Sequence, residues 1–155
     1  MIIKPFPENS YRVLYITEVG IKIFDMEFFS NGNFKLHYCL EALNKKSIIK
    51  TLKNDIGLIL NSFPEKNKIN MMKDRQTDRT VIKTRDETGV KYYFLMDKTN
   101  QADEIIQTRG LLKKVNMHLY SGNGIRVDSI KISHYNMNLN INLLKLNENK
   151  SEVPE

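Results

Sequence analysis

The stretch NMNLNINLLKL, residues 136–146, alternates Asn136, Asn138, Asn140 and Asn142 with Met137, Leu139, Ile141 and Leu143. A period of two sends successive side chains to opposite faces, so one face of the segment is dry and the other wet. Such a segment reads as an antiparallel strand with one solvated side. Asparagine is a poor strand former, and the chain holds 17 of them beside abundant lysine and isoleucine. On the wet face they read as codon drift in an AT-rich genome and not as ligands. The segment leaves one question open: whether its dry face covers only the core or also a carried molecule.

Upstream of this strand the same logic repeats. RTVIKTR (79–85), VKYYFLM (90–96), KKVNMHLY (113–120) and IRVDSIKISHY (125–135) read as strands, and DEIIQTR (103–109) as a weaker one. DETG, DKTN (97–100) and SGNG (121–124) mark the turns between them. Residues 65–79 are polar and charged and read as a loop or flap. Before them the period changes. Ile48, Leu52, Ile56, Leu60 and Phe63 recur at a spacing near 3.6, which predicts an amphipathic helix. Asn44 is placed to cap it, Pro64 to stop it, and Gly57 weakens it slightly.

Three strands precede the helix: YRVLYIT (11–17), IKIFDMEFF (21–29) and FKLHYCL (34–40). In the second, parity switches from Ile21 and Ile23 to Phe24, Met26 and Phe28, which implies a bulge or a strand whose two ends bury opposite faces. SNGN (30–33) predicts a type I′ hairpin, with positive φ at both central residues. The third strand sets Phe34, Leu36, Tyr38 and Leu40 on a dry face and Lys35, His37 and Cys39 on the other. Runs of strands with one inserted helix specify an α+β fold. A meander this long must curl or close, and a helix across its mouth covers one face.

A chain of 155 residues suits one domain, here 6–146, followed by a polar tail, 147–155. It can bury roughly 70% of the surface its unfolded form exposes, so it needs neither disulfide nor metal to fold. Cys39 is the single cysteine, which excludes an internal disulfide. Net charge is +6 and the pI about 9.3, with lysine and arginine spread along the chain. That balance permits nucleic acid, anionic lipid or an acidic partner. No apolar run is long enough to cross a membrane, and MIIKPFPEN is not a secretory signal. IIKPFPENSYRV reads as the end of one strand, a turn and the start of the next, so an upstream N-terminal part is expected.

Catalytic signals are weak. His37, His118 and His134 lack the partners of a zinc motif. Cys39 and His37 stand at i, i+2, the spacing of an activated thiol, without a third orienting group. Asp25 and Glu27 share a parity, a common arrangement on a wet face. No nucleophile elbow, phosphate loop or dinucleotide fingerprint is present. Lys46, Lys50 and Lys53 line the helix face opposite the apolar stripe. Lys45 and Lys46 stand at the helix start, where the dipole disfavours cations, and so favour an anionic partner there. VKYYFLM is the nearest approach to a nucleic-acid platform, but it lacks the ribonucleoprotein pattern and most of its residues look buried.

The series YRVLYITEVGIKIFDMEF, FKLHYCLEALNKKSIIKTLKNDIGLIL and IKISHYNMNLNINLLKL resembles uncharacterised lipoproteins of Bacteroidetes-type bacteria, and through them the lipoprotein-carrier superfamily of LolA/LolB type. The resemblance spans Tyr11 to Leu146 and rests on patterns of strand and helix. It implies a strongly curved antiparallel sheet, an unclosed barrel, with a helix packed on the concave face and acyl chains held there. It also implies a lipid-modified cysteine and an upstream strand–helix segment, neither of which this chain carries; Cys39 lies within a strand.

The expectation is therefore a non-enzymatic lipid- or lipoprotein-binding module without cofactor or metal. By resemblance it sits at the periplasmic side of an outer membrane; with Met1 as the true start it is cytoplasmic. Phe24, Met26, Phe28, Leu36, Tyr38, Leu139 and Ile141 are expected to line the apolar concave face, and Lys46, Lys50 and Lys53 to meet an anionic surface. Acyl chains or a lipoprotein are the expected partners, with a membrane surface reached through a lipid anchor outside this chain. The alternative is a structural or interaction protein whose half-barrel is plugged by its own helix. A third reading is a basic nucleic-acid-binding domain, although no nucleic acid is expected as a partner.

Overall fold

The computed structural model of the chain describes residues 1–7, 9–60, 70–96, 101–122, 127–137 and 139–145. The elements before the helix are β1 (Ile2–Phe6), β2 (Ser10–Ile16), β3 (Lys22–Phe29) and β4 (Phe34–Cys39). A 3-10 turn, Glu41–Leu43, leads into α1 (Lys46–Ile59). After it come β5 (Asn70–Lys73), β6 (Thr80–Asp86), β7 (Gly89–Leu95), β8 (Ala102–Arg109), β9 (Leu112–Tyr120), β10 (Ser129–His134) and β11 (Leu139–Leu144). The strands form two antiparallel meanders, a four-stranded sheet in the order β1-β2-β3-β4 and a seven-stranded sheet in the order β11-β10-β9-β8-β7-β6-β5. Neither closes into a barrel. The fold is α+β, but the strands expected to share one sheet over 6–146 are distributed over two, with the break at the helix. The chain divides correspondingly into two compact units, Met1–Asn67 and Lys68–Glu155.

In the first unit the sheet buries one face under α1. Val13, Met26, Phe24 and Phe28 form a core with Ile56 of the helix, and Leu36, Leu52 and Leu60 pack against it. The apolar stripe expected of the helix is thus its packing face; Phe63 and Pro64 lie outside the described residues. The helix starts later than expected. Its N-cap position is Lys45, which makes no side-chain capping bond, while the Asn44 N–H donates to the Glu41 carbonyl at 3.0 Å. The 3-10 turn engages Asn44 and takes it out of the capping role.

Two register slips reshape this sheet. Tyr15 stands opposite Phe24 but Ile16 opposite Lys22, which leaves Ile23 as an extra residue. That bulge is the parity switch visible in IKIFDMEFF. On the other side Asp25 opposes Tyr38 while Met26 opposes Leu36, so His37 is the extra residue in β4. This second slip had no counterpart in the sequence pattern. The SNGN turn also differs: Gly32 has φ +80° and Asn31 is not in the left-handed region. The Gly32 N–H donates to the Phe29 carbonyl at 2.9 Å and the Phe29 N–H to the Asn33 carbonyl at 3.0 Å. A loop closed by a left-handed glycine matches the longer, bulged hairpin connection and not type I′.

In the second unit one line of facing residues crosses the sheet: Ile82, Tyr93, Ile105, Met117, Ile132 and Ile141. Its four central members are 1% exposed or less. The strand read as weak, β8, therefore contributes the centre of this core through Ile105. β5 lies where a loop was expected. All four of its residues are exposed and its pairing with β6, Met72 opposite Val81, supplies the order that its own pattern lacks. The opening stretch forms the edge strand β11 from Leu139 onward, while Tyr135–Met137 turn the chain. Ile141 faces the core side; Asn140 and Asn142 are exposed on the other, as the alternation requires. Asn138, the SGNG turn from Asn123, the DKTN turn and the tail from Leu146 lie outside the described residues.

Candidate functional site

Of the residues expected to hold a ligand, Phe24, Met26 and Phe28 are at most 6% exposed beneath Ile56, and Leu36 packs against them. Tyr38 does not join them. The β4 bulge turns it to the opposite face, where it lies opposite Asp25 and receives the Lys22 ammonium 5.6 Å from its ring centre. Leu139 and Ile141 belong to the other sheet, Leu139 at 36% exposure on an edge strand.

The same bulge separates Cys39 from His37. Cys39 pairs with Phe24 on the helix side, and burial pushes its thiol pKa up. His37 Nε2 lies 2.8 Å from Glu27 Oε2 on the far side. Cys39 is half-buried and has no imidazole beside it, which fits a packing residue.

That far side carries a polar ladder. The Arg12 guanidinium donates two bonds to Asp25, at 2.7 and 2.9 Å, and Lys22 lies 3.7 Å from the same carboxylate. The Ser10 hydroxyl lies 3.0 Å from Glu27 Oε1 and 2.9 Å from the Pro7 carbonyl. Both carboxylates are buried. The Arg12 bonds hold Asp25 below the usual carboxylate range, against the cost of burial. The His37 contact does the same for Glu27, with help from Ser10. A general acid at neutral pH needs a raised pKa; these two are lowered. Ser10 and His37 each address Glu27 and form no nucleophile–base relay. The arrangement is a network of ion pairs and hydrogen bonds linking β2, β3 and β4. Among the described residues no group of three His, Cys, Asp or Glu is placed to hold a metal.

Lys46, Lys50 and Lys53 are exposed, and the Lys53 ammonium stands 5.5 Å from the Phe34 ring centre. They do form one helix stripe. In the second unit VKYYFLM splits between faces. Lys91, Tyr93 and Leu95 are buried on one face; on the other Val90 is buried, while half-buried Tyr92 and Phe94 carry Lys83 and Arg79 over their rings at 5.6 and 5.4 Å. Those cations occupy the faces on which bases would stack.

One feature escaped the sequence pattern. The turn between β8 and β9 consists of Gly110 and Leu111, with φ +62° at Gly110, as in a type II′ hairpin. Leu111 is 103% exposed and Leu112 65%. The signal present in the sequence was RGLLKK, two leucines in a turn between cations. No family model, curated protein or solved structure matches the chain.

Proposed function

We propose that the protein is a non-enzymatic interaction module whose four-stranded sheet is closed by its own helix and carries no acyl chain. The observation behind this reading is the closure itself. Val13 and Met26 are fully buried, and Ile56, Phe24 and Phe28 nearly so. A ligand on that face must displace Ile56, Leu52 and Leu60, and each leucine-sized side chain lifted into water costs about 1.5–3 kcal/mol. The carboxylates on the opposite face are committed to Arg12, Lys22, Ser10 and His37 and leave no acid–base pair tuned for chemistry. Titration of the full chain with a fluorescent fatty-acid probe tests the reading. No saturable signal is expected. Stoichiometric binding displaced by unlabelled oleate would restore the acyl-carrier reading in its place.

A further inference from the structure

We infer that one end of the seven-stranded sheet is a docking surface for an anionic lipid bilayer. The inference rests on the non-enzymatic interaction reading and names its partner. Antiparallel pairing brings three turns to that end: Asp86–Gly89, Gly110–Leu111 and the turn from Tyr135. Leu111 and Leu112 project from the middle turn, 103% and 65% exposed, and Tyr135, 58% exposed, opens the adjacent turn. Its N–H donates to the Lys114 carbonyl at 2.9 Å, and the Lys113 ammonium lies 5.0 Å from its ring centre.

Charge at this end is one-sided. Lys91 is bound to Asp86 at 2.7 Å. Arg85, Arg109, Lys113 and Lys114 then stand against Glu87. Two exposed leucines at a hairpin turn, an aromatic residue and four cations are what an anionic interface takes up: apolar groups enter, the tyrosine ring sits at headgroup depth, and lysine stems reach to the phosphates.

The tip is also tied to its neighbouring turn. Behind it the buried row Thr84, Lys91, Gln107, Val115 and His134 is polar in all but Val115. The Gln107 amide donates to Thr88 Oγ1 at 2.8 Å, which ties the β8–β9 hairpin to the neighbouring turn. A bulge at Lys114 sets Thr108 opposite Lys113 and Gln107 opposite Val115. A surface ordered before contact loses little freedom on binding. This mostly polar row lies between the tip leucines and the core row of Tyr93, Ile105, Met117 and Ile132.

The test is co-sedimentation of the full chain with vesicles of phosphatidylcholine mixed with phosphatidylglycerol, and with vesicles of phosphatidylcholine alone. Binding to the mixed vesicles at low salt is expected, weaker on the neutral ones. Leu111→Asp with Leu112→Asp should weaken it by about tenfold or more per leucine, with an unchanged melting temperature. Lys113→Glu with Lys114→Glu should remove the preference for the anionic vesicles. A chain with Cys39→Ser and Leu111→Cys, labelled with an environment-sensitive dye, should shift to the blue on the mixed vesicles. No binding by the wild type, or equal binding by the leucine variant, overturns the inference. So does a lipid-free dimer that the leucine variant dissolves, which would make the tip a protein contact. Failure here leaves the fatty-acid titration untouched, so the two readings fall separately.

Discussion

Both units seal an apolar core and leave apolar residues exposed at a turn, Val19 and Ile21 between Glu18 and Lys22 in the first, Leu111 and Leu112 between Arg109 and Lys113 in the second. In the first, Phe24, Met26 and Phe28 are sealed by neighbouring strands and by Ile56 above them. In the second, Tyr93, Ile105, Met117 and Ile132 are as dry, yet Leu111 and Leu112 stand in water at the end of the same sheet. Residue type does not explain the difference; position does. A mid-strand side chain has a strand on each side, whereas the second residue of a two-residue turn has none. A sealed phenylalanine therefore reports packing, and it is the cations around the two adjacent leucines, not their exposure alone, on which the proposed docking surface rests.

The largest effect is expected at Met26. Met26→Asp places an unpaired carboxylate at a position with no exposure. The expected cost is several kcal/mol, comparable with the stability of a small domain, and urea unfolding followed by circular dichroism should show the first unit lost. If the variant stays folded, the sealed face is open to water.

A smaller effect tests whether the tips are rigid. Gly89 has φ +137°, and a Cβ there meets the Thr108 carbonyl oxygen at 2.1 Å. Gly89→Ala should cost about 3 kcal/mol, read from the urea midpoint, and should raise hydrogen exchange in the β6–β7 and β8–β9 hairpins together. Exchange confined to one hairpin would show that the turns are not coupled.

Next is the polar face of the first unit. Asp25 is held below the ordinary carboxylate value by the Arg12 bonds. A depressed folded-state pKa contributes stability above the unfolded pKa, and this is lost as pH falls through the depressed value. Asp25→Asn should therefore cost about 1 kcal/mol at neutral pH, solvent screening of the part-exposed Arg12 keeping it small. It should also flatten the acid limb of the stability–pH curve. An unchanged limb would assign the acid sensitivity to other carboxylates.

The smallest changes fall on exposed positions. Leu139→Asp on the edge strand should shift stability by less than about 1 kcal/mol; unfolding would show that the edge is core. Lys46, Lys50 and Lys53, all changed to Glu, should alter it by about 0.5 kcal/mol or less, with Lys46→Glu slightly favourable because acid suits a helix start. Loss of vesicle binding in this variant, with the leucines intact, would move the docking surface from the hairpin to the helix.

By itself the sequence determined what local periodicity encodes. Period, strand-favouring composition and turn signals together placed ten of the eleven strands among the described residues wholly or in part, including the wet side of Asn140 and Asn142, and the period near 3.6 placed α1 and its Leu52, Ile56 and Leu60 stripe. The switch at Ile23 was legible because a bulge within one strand inverts that strand's own pattern. Tertiary structure decided the rest. The bulge at His37, which sends Tyr38 and Cys39 to opposite faces, depends on how β3 lies beside β4, and FKLHYCL alternates cleanly without it. β5 exists because β6 offers it a ladder. The division into two sheets follows from whether β4 and β5 pair across the helix, and the site at Leu111 from three turns meeting at one end. Each is a relation between residues far apart in the chain, and a period measured along the chain carries no information about such pairings.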